Sequence, residues 1–216
     1  MPSFRHEQRH ERQGALRIAG LDEAGRGPLA GPVVAAAAVI DRGAANRRLL
    51  GLIDDSKKLD HEDREAAYAA MVASGLVTYG VGEATVEEID RLNILQATYL
   101  AMRRALQALA DPPDIVLVDG NRVPPQLGCR AEPIVGGDAL SYSIAAASIF
   151  AKVTRDRAMT RLAEIHPGYG WQTNRGYGTE EHLAALRSLG PTVHHRRSFA
   201  PVRMLIEPMP PAAGES

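Results

Sequence analysis

Two apolar runs near the start of the chain predict neighbouring β-strands. A mainly apolar run begins at Leu16 and ends on Asp22, and a second run, Val33–Ile40, contains no polar residue. A continuous apolar run of this length is typical of a strand that is buried on both faces. Pro28 and Pro32 lie between the runs and exclude a helix there. The pattern therefore predicts two strands joined by a turn or hairpin.

The middle of the chain alternates between helical and extended patterns. Apolar residues three and four positions apart predict helices at 61–74 and at 86–110, the second in one or two pieces. Short apolar runs predict further strands at 77–81, 115–118 and 133–135. Strands and helices interleaved in this way predict an α/β domain with helices on both sides of a sheet.

Helices also account for the last third of the chain. Ser141 or Ser143 is suited to cap a long helix that runs to about Ile165, and a shorter helix is predicted at 180–189. We expect one domain of residues 16–207, in which the helices from about residue 141 form a C-terminal extension.

Both ends of the chain lack the apolar periodicity of a folded element. Residues 1–15 are rich in charged and polar side chains, and residues 208–216 are rich in Pro and Ala. We expect both segments to be disordered. The polar N-terminus does not resemble a signal peptide, and no apolar run is long enough for a membrane helix. We therefore expect a cytoplasmic protein without a membrane partner.

Composition and charge further restrict the class of protein to which the chain can belong. The chain has 216 residues, 45% of them hydrophobic, and its single cysteine, Cys129, excludes an internal disulfide. Net charge is −1, but the stretch from Ser141 to Arg203 holds nine Lys or Arg against four Asp or Glu. This asymmetry is compatible with a phosphate-backbone partner and is also common in proteins that bind none. The His-His-Arg-Arg cluster at 194–197 is interpreted as a solvated turn.

Acidic residues recur at the predicted strand ends. Asp22 and Glu23 close the first strand, Asp119 follows the run at 115–118, and Asp138 precedes a helix, whose positive end would keep it ionised. A set of carboxylates without histidine or cysteine matches the oxygen ligands that Mg²⁺ prefers. Two such ions roughly 3.5 to 4 Å apart polarise a phosphate, activate water and stabilise the leaving oxygen. Separate helix caps and solvated surface acids are the alternative interpretation.

Asp22 and Glu23 are adjacent, which raises a geometric problem. Side chains alternate between the faces of a regular strand, so both reach one metal pair only if the strand breaks or bulges there. Gly25 permits such a break, and Gly25, Arg26 and Gly27 allow backbone to approach a sugar-phosphate. The sequence lacks the Gly-Lys-Ser/Thr of a nucleotide P-loop, and a solvated hairpin arginine remains the alternative.

Basic residues on the long helix and on an earlier loop are candidate phosphate ligands. Ser148, Lys152 and Arg155 have the spacing i, i+4 and i+7, which places them on one stripe of the helix. Such a stripe is suited to track phosphates, and an ordinary solvated face is the alternative. Lys57 and Lys58 are loop candidates with the same alternative.

Tyr177 lies between Gly176 and Gly178, which favours an exposed ring over one packed in a core. Tyr169 and Trp171, a few residues earlier, are predicted to be packing residues. Tyr177 is therefore a candidate for contact with a ligand.

Six strings of this sequence, taken together and in order, resemble the motifs of the type 2 ribonucleases H, and of the bacterial ribonuclease HII family in particular. The resemblance runs from about Ile18 to Arg203, nearly the whole chain. The strings are Asp-Glu-Ala-Gly-Arg-Gly at 22–27, Asp-Ser-Lys-Lys-Leu at 55–59, Val-Asp-Gly-Asn at 118–121, Gly-Asp at 137–138, Ser-Ile-Ala-Ala-Ala-Ser-Ile at 143–149 with Ala-Lys-Val at 151–153, and Gly-Tyr-Gly-Thr at 176–179.

This resemblance implies a fold and a metal site. The fold is a ribonuclease H-like, five-stranded mixed sheet flanked by helices, with a C-terminal helical extension. In the family, the positions of Asp22, Glu23, Asp119 and Asp138 are catalytic and bind two divalent ions, Mg²⁺ or Mn²⁺.

The resemblance also implies a substrate. The Gly-Arg-Gly loop would contact the ribose 2′-hydroxyl, the group that distinguishes RNA from DNA, and Tyr177 would stack on a deoxyribose at the RNA–DNA junction. Departures occur at Gly136, where many relatives carry lysine, and at Asn174 and Arg175, where His-Lys is common. The implied substrate-binding set is Gly25, Arg26, Gly27, Lys57, Lys58, Ser148, Lys152, Arg155 and Tyr177.

The implied activity is that of a monomeric, two-metal endoribonuclease. It would cleave the RNA strand of RNA–DNA hybrids and nick duplex DNA 5′ to embedded ribonucleotides, leaving 3′-hydroxyl and 5′-phosphate ends. The alternatives are a non-catalytic module that binds hybrids or DNA, and an α/β phosphotransfer enzyme for small molecules. The complete acid set argues against the first, and the absence of a nucleoside-triphosphate loop argues against the second.

Overall fold

A mixed five-stranded sheet organises residues 1–207, which are the residues that the computed structural model describes. The spatial order of the strands is β3-β2-β1-β4-β5. The pairs β1–β2 and β2–β3 are antiparallel, whereas β1–β4 and β4–β5 are parallel. The predicted five-stranded mixed sheet is confirmed, and the predicted tail at 208–216 lies outside the described residues. The strands are β1 (Ile18–Ala24), β2 (Val33–Ile40), β3 (Val77–Ala84), β4 (Ile115–Asp119) and β5 (Arg130–Ile134).

Ten helices lie within residues 1–207 and cover the sheet on both faces. Within that range, no helix combines the length and apolarity that crossing a bilayer requires. The helices are α1 (Arg5–Glu11), α2 (Arg47–Leu50), α3 (His61–Ser74), α4 (Val86–Leu92), α5 (Ile94–Gln107), α6 (Gly137–Leu140), α7 (Tyr142–Ile165), α8 (Trp171–Asn174), α9 (Glu180–Leu189) and α10 (Ala200–Ile206).

Two apolar cores use alternate residues of the same strands. Ala35 and Ala37 of β2 face the core that contains α5, and Ala36 and Ala38 face the core that contains α3 and α7. Small side chains bring α7 close to the sheet, because a Cβ at Gly20 would lie 2.0 Å from the Ser143 carbonyl carbon. The long helix therefore starts directly over β1, the strand that carries Asp22 and Glu23.

The structure corrects two of the predicted element boundaries. The strand predicted at 133–135 is displaced, since β5 covers Arg130–Ile134, and β3 extends beyond 81 to Ala84. The helix predicted at 86–110 is two helices that meet at Asn93, where the backbone has φ = 70°. The Asn93 side chain accepts hydrogen bonds from the first turn of α5 and so starts a new helix.

The expectation that residues 1–15 are disordered is wrong, because α1 docks against the start of α7. The buried Glu7 carboxylate accepts hydrogen bonds from the Ser141 hydroxyl (2.7 Å) and the Ser143 backbone amide (3.1 Å). A negative group is favourable at a helix N-terminus, where amides lack partners. The Phe4 ring also packs on Tyr142, with 4.7 Å between ring centroids. Polar contacts between distant residues left no periodic signal in the sequence.

Candidate active site

Three aspartates meet at one edge of the sheet and form what we call the acid cluster. Asp22 lies near the end of β1, Asp119 ends β4, and Asp138 lies in the short α6. Because β1 and β4 are parallel neighbours, their carboxyl ends lie side by side. One carboxylate oxygen from each aspartate lies within 4.8 Å of the other two. An oxygen-only set of this spacing fits a hard divalent cation such as Mg²⁺ or Mn²⁺.

The acid cluster is electrostatically strained in the metal-free protein. Burial raises the pKa of Asp22 well above its usual value, and the carboxylates of Glu23 and Asp119 raise it further. Burial and the nearby Asp138 likewise raise the pKa of Asp119. Lys57 offsets part of this charge, because its Nζ lies 2.8 Å from Asp138 Oδ2. A bound divalent cation would offset much more.

Glu23 lies outside the acid cluster, so the structure does not bring all four predicted acids together. The predicted break in the strand is also wrong, because β1 stays paired with β2 through Ala24. Adjacent strand residues face opposite sides, and Glu23 Oε1 instead accepts a hydrogen bond from Arg26 Nη1 at 3.2 Å. Burial raises the pKa of Glu23, and Arg26 acts in the opposite direction. Glu23 nevertheless lines the same cavity as Asp22 and Asp119.

That cavity, the first cavity, has a volume of about 260 Å³ and collects most of the predicted substrate-binding residues. Lys58 is not among them, and its Nζ lies 4.0 Å from Asp55. Buried Ser56, which was not among the predicted site residues, also belongs to the wall. Only its place in the string Asp-Ser-Lys-Lys-Leu could have suggested it. The predicted residues in the lining are Gly25, Arg26, Gly27, Lys57, Ser148, Lys152, Arg155 and Tyr177.

Two members of the predicted basic stripe are engaged by the protein itself. The buried Ser148 hydroxyl donates to the Ala145 carbonyl at 2.9 Å. Lys152 Nζ lies 2.7 Å from Asp156 Oδ1. Burial lowers the pKa of Lys152, and Asp156 acts in the opposite direction. Lys152 remains partly exposed and is the member of the stripe best suited to reach a phosphate.

We call the segment 25–32 the glycine loop. A buried arginine, Arg196, holds the backbone of this loop, although it was predicted to lie in a solvated turn. Arg196 donates to the carbonyls of Gly25 (2.6 Å), Arg26 (3.0 Å) and Gly31 (2.9 Å). Its side chain is inaccessible, and burial lowers its pKa to about 9. The solvated-turn interpretation of 194–197 is therefore wrong for His195 and Arg196.

A second buried arginine, Arg155, completes this support, and its predicted place on an exposed stripe is wrong. Arg155 is 1% exposed and donates to the carbonyls of Pro32 (3.1 Å), Ala30 (3.1 Å) and Arg175 (3.0 Å). Burial lowers its pKa to about 10. All three guanidinium nitrogens serve backbone carbonyls, so Arg155 shapes the loop and is not positioned as a phosphate ligand.

A buried histidine pair holds the backbone of Tyr177. Trp171 Nε1 donates to His182 Nε2 (3.1 Å), so the His182 proton lies on Nδ1 and is donated to the Tyr177 carbonyl (2.9 Å). The Thr192 amide donates to His195 Nδ1 (2.9 Å), so His195 donates through Nε2 to His182 (3.0 Å). Burial lowers the pKa of both histidines, that of His195 to about 3.

The network leaves the Tyr177 ring free at the mouth of the first cavity, where it is 46% exposed. The predicted packing role of Tyr169 and Trp171 is confirmed, since both are buried with their rings stacked. The Tyr177 ring also borders the glycine loop, because a Cβ at Gly27 would lie 3.6 Å from Tyr177 Cε1.

Comparison with known proteins gives one consistent family. A family model described as Ribonuclease HII matches residues 19–202. The Ribonuclease HII of Rhodospirillum rubrum is 63% identical over 193 residues, 89% of this chain and 88% of that protein. That of Granulibacter bethesdensis is 56% identical over 200 residues, 93% of this chain and 91% of that protein. The crystal structure of ribonuclease H2 from Pyrococcus horikoshii superposes with a TM-score of 0.72 at 28% identity, covering 88% of this chain and 97% of that one.

Proposed function

The chain belongs to the ribonuclease HII family, and we propose that it cleaves the RNA strand of RNA–DNA hybrids and nicks duplex DNA 5′ to embedded ribonucleotides. It is a metal-dependent endoribonuclease of the ribonuclease H type. The observation that carries the substrate proposal is the acid cluster, which opens into a cavity walled by the glycine loop and Tyr177. The products would carry 3′-hydroxyl and 5′-phosphate ends.

The acid cluster and Glu23 are the proposed ligands of two divalent ions, Mg²⁺ or Mn²⁺. Such ions, when bound, stabilise the negative charge that develops during phosphodiester hydrolysis and lower the pKa of water. Asp22, Asp119 and Asp138 offer three oxygens to one site. Glu23 is the fourth ligand in this proposal. A divalent cation would compete with Arg26 for the Glu23 carboxylate. Lys57, paired with Asp138, is placed to exchange that carboxylate for a substrate phosphate.

The glycine loop is the proposed reader of the ribose 2′-hydroxyl. Its carbonyls are already bound by Arg155 and Arg196, so its shape does not depend on the substrate. A site that hydrogen-bonds a substrate hydroxyl strongly rejects the analogue without it, because its polar groups are then unpaired. Arg26 is exposed at the edge of the loop and is the proposed contact to a neighbouring phosphate.

A matched pair of glycine substitutions tests this proposal. A Cβ at Gly27 makes only an ordinary 3.6 Å contact, so Gly27→Ala should fold normally. A Cβ at Gly25 would lie 2.0 Å from Arg155 Nε, at a residue with φ = +96°, so Gly25→Ala should distort the loop and lower the melting temperature. Gly27→Ala should lower cleavage of a duplex with one ribonucleotide by roughly 100-fold, the cost of misplacing a substrate by about 1 Å.

The measurement is single-turnover cleavage of duplexes that carry one ribonucleotide, one 2′-O-methyl nucleotide or DNA alone, over a salt series. Arg26→Ala should weaken duplex binding most at low salt concentration, because it removes one contact to a phosphate. Wild-type rates for Gly27→Ala would refute the loop as the sugar reader. Binding of the wild type without cleavage in Mg²⁺ or Mn²⁺ would instead support a non-catalytic binding module.

Tyr177 is the proposed stacking partner of the deoxyribose that follows the ribonucleotide. Tyr177→Ala should lower cleavage at a single embedded ribonucleotide by about tenfold, as the loss of roughly 1 to 2 kcal/mol of stacking implies. A continuous hybrid should be affected less, and Tyr177→Phe, which keeps the ring, should resemble the wild type on both. Equal losses on the two substrates would mean that the ring is structural.

We also propose that the protein acts as a monomer in the cytoplasm. The acid cluster, the glycine loop and Tyr177 all come from one chain, so the cleft requires no second copy. Sedimentation of the active protein with and without a hybrid duplex tests the monomer.

A further inference from the structure

A second cavity of about 330 Å³ adjoins the first, and the residues that line it alone have no role in the function proposed above. The two cavities share Glu23, Arg26 and Asp119 and otherwise have different walls. The second extends along α5 and the turn that follows β4. The remaining lining residues are Leu95, Thr98, Tyr99, Met102, Val118, Gly120, Asn121 and Arg122.

We propose that the second cavity binds the nucleotide on the 5′ side of the scissile phosphate, the one that leaves with the 3′-hydroxyl. This inference rests on the proposed function. A phosphodiester at the acid cluster has two ester arms that point in different directions. If the glycine loop and Tyr177 hold the ribonucleotide and the deoxynucleotide after it, the first cavity holds the 3′ arm. The 5′ arm then requires a second path that starts at the same acids.

The walls of the second cavity match the parts of a nucleotide. Tyr99, Met102 and Leu95 of α5 form a partly apolar floor suited to the flat face of a base or a sugar. Asn121 adds an amide that donates and accepts hydrogen bonds, and Arg122 adds a guanidinium. Both of these side chains are exposed at the rim. Arginine there is suited to the phosphate of the upstream nucleotide, which it is able to bind through two parallel hydrogen bonds.

The backbone between the acid cluster and this rim is fixed. Gly120, directly after the metal ligand Asp119, has φ = +103°, and its amide donates to the Ile134 carbonyl at 2.9 Å. This turn takes the chain from β4 to Asn121 and Arg122 within three residues. The backbone of the rim is therefore held within three residues of Asp119, a short reach that suits a site for one nucleotide.

The test is a double-mutant cycle between Arg122 and one phosphate. Two duplexes with a single ribonucleotide differ only at the phosphate on the 5′ side of the upstream nucleotide, which is either natural or a neutral methylphosphonate. For the wild type, the methylphosphonate should raise KM by about tenfold, which is the change in affinity expected from losing one charge-assisted hydrogen bond. Arg122→Ala should show the same loss on the natural duplex and no further loss on the methylphosphonate.

Arg187→Ala is the matched control, because Arg187 is an exposed arginine on α9 whose replacement changes the net charge equally. Its cycle with the methylphosphonate should be additive. Additive losses for Arg122→Ala, or no loss, would overturn the assignment of the second cavity. Failure of the wild type to cleave either duplex would instead refute the proposed function, so the two outcomes are distinct.

Discussion

The two walls of the first cavity are built on opposite electrostatic principles. The acid cluster brings Asp22, Asp119 and Asp138 together without enough internal positive charge to offset them. The glycine loop, in contrast, has its carbonyls bound by the buried guanidinium groups of Arg155 and Arg196. One wall requires cations from outside the chain, and the other is complete by itself.

This difference assigns two tasks to separate parts of the cavity: the acid cluster is suited to bind cations, and the glycine loop keeps a fixed shape. Mutually repelling carboxylates destabilise the fold, and the same repulsion favours capture of divalent ions. The role proposed for the glycine loop, to distinguish one hydroxyl, would benefit from rigidity, which the two arginines provide. We therefore expect substitutions in the acid cluster to lower activity and raise stability. Substitutions of the arginines beneath the glycine loop should lower both.

The largest expected effect concerns the acid cluster. Asp22→Asn and Asp119→Asn should each lower cleavage by at least about 100-fold, a usual cost of removing one electrostatic group from an active site. In chelator, the melting temperature of each variant should exceed that of the wild type, because one buried repelling charge is gone. Cleavage assays and thermal melts with and without Mg²⁺ check both effects. Near-wild-type rates in either variant, or activity that survives metal removal, would contradict the metal site.

The next largest effect concerns Arg196. Arg196→Met should lower the free energy of unfolding by about 3 kcal/mol or more, because several buried carbonyls lose their donor at once. Activity should fall as well, since the glycine loop loses its shape. Arg187→Ala, which removes an exposed arginine, serves as the control and should change stability by less than about 0.5 kcal/mol. Chemical denaturation measures the difference, and equal stabilities would mean that the loop is held by other contacts.

The acid cluster and the buried histidine pair behind Tyr177 should respond to pH with opposite signs. The raised pKa values of Asp22, Glu23 and Asp119 stabilise the metal-free fold below about pH 3.8, and that contribution is lost as pH rises through the raised values. The lowered pKa of His195 stabilises the fold above pH 6.5, and that contribution is lost as pH falls toward about 3.

Melting temperatures between pH 4 and pH 8 in chelator separate the two contributions. Asp22→Asn should remove part of the loss on the alkaline side, so that its stability rises more steeply with pH than that of the wild type. Added Mg²⁺ should act in the same direction, because it binds the ionised carboxylates. An unchanged profile in Asp22→Asn would mean that Asp22 is not strained.

The smallest expected effect concerns Lys57, the internal cation of the acid cluster. Its side chain is 75% exposed, so the pair with Asp138 should contribute at most about 1 kcal/mol. Lys57→Met should therefore strengthen Mg²⁺ binding by no more than about fivefold while weakening substrate binding. Titration calorimetry with Mg²⁺ alone measures the first change, and weaker Mg²⁺ binding would show that Lys57 supports the site.

The acids were predictable because each follows an apolar strand or precedes a helix, and such signals are local in sequence. Glu23 lies apart from the three aspartates because strand alternation continues where a break was expected, although it lines the same cavity. The roles of Arg155 and Arg196 could not be predicted, since burial depends on contacts with a loop more than 120 positions away. Charge and spacing alone therefore identified basic residues near the cleft. They did not show which of these residues are buried and hydrogen-bonded to the protein's own backbone.

The contact between Glu7 and the start of α7 has a consequence for synthesis. Its hydrogen bonds join residues 134 and 136 positions apart. At roughly 5 to 20 residues per second, the ribosome takes about 7 to 27 s to make that intervening chain. During this interval α1 has no helix end to dock on, and the junction that carries Asp138 does not yet exist. Helix α1 therefore docks only after the chain has been made as far as Ser143, five residues beyond Asp138, so the acid cluster and the start of α7 are completed in the same late stage of synthesis.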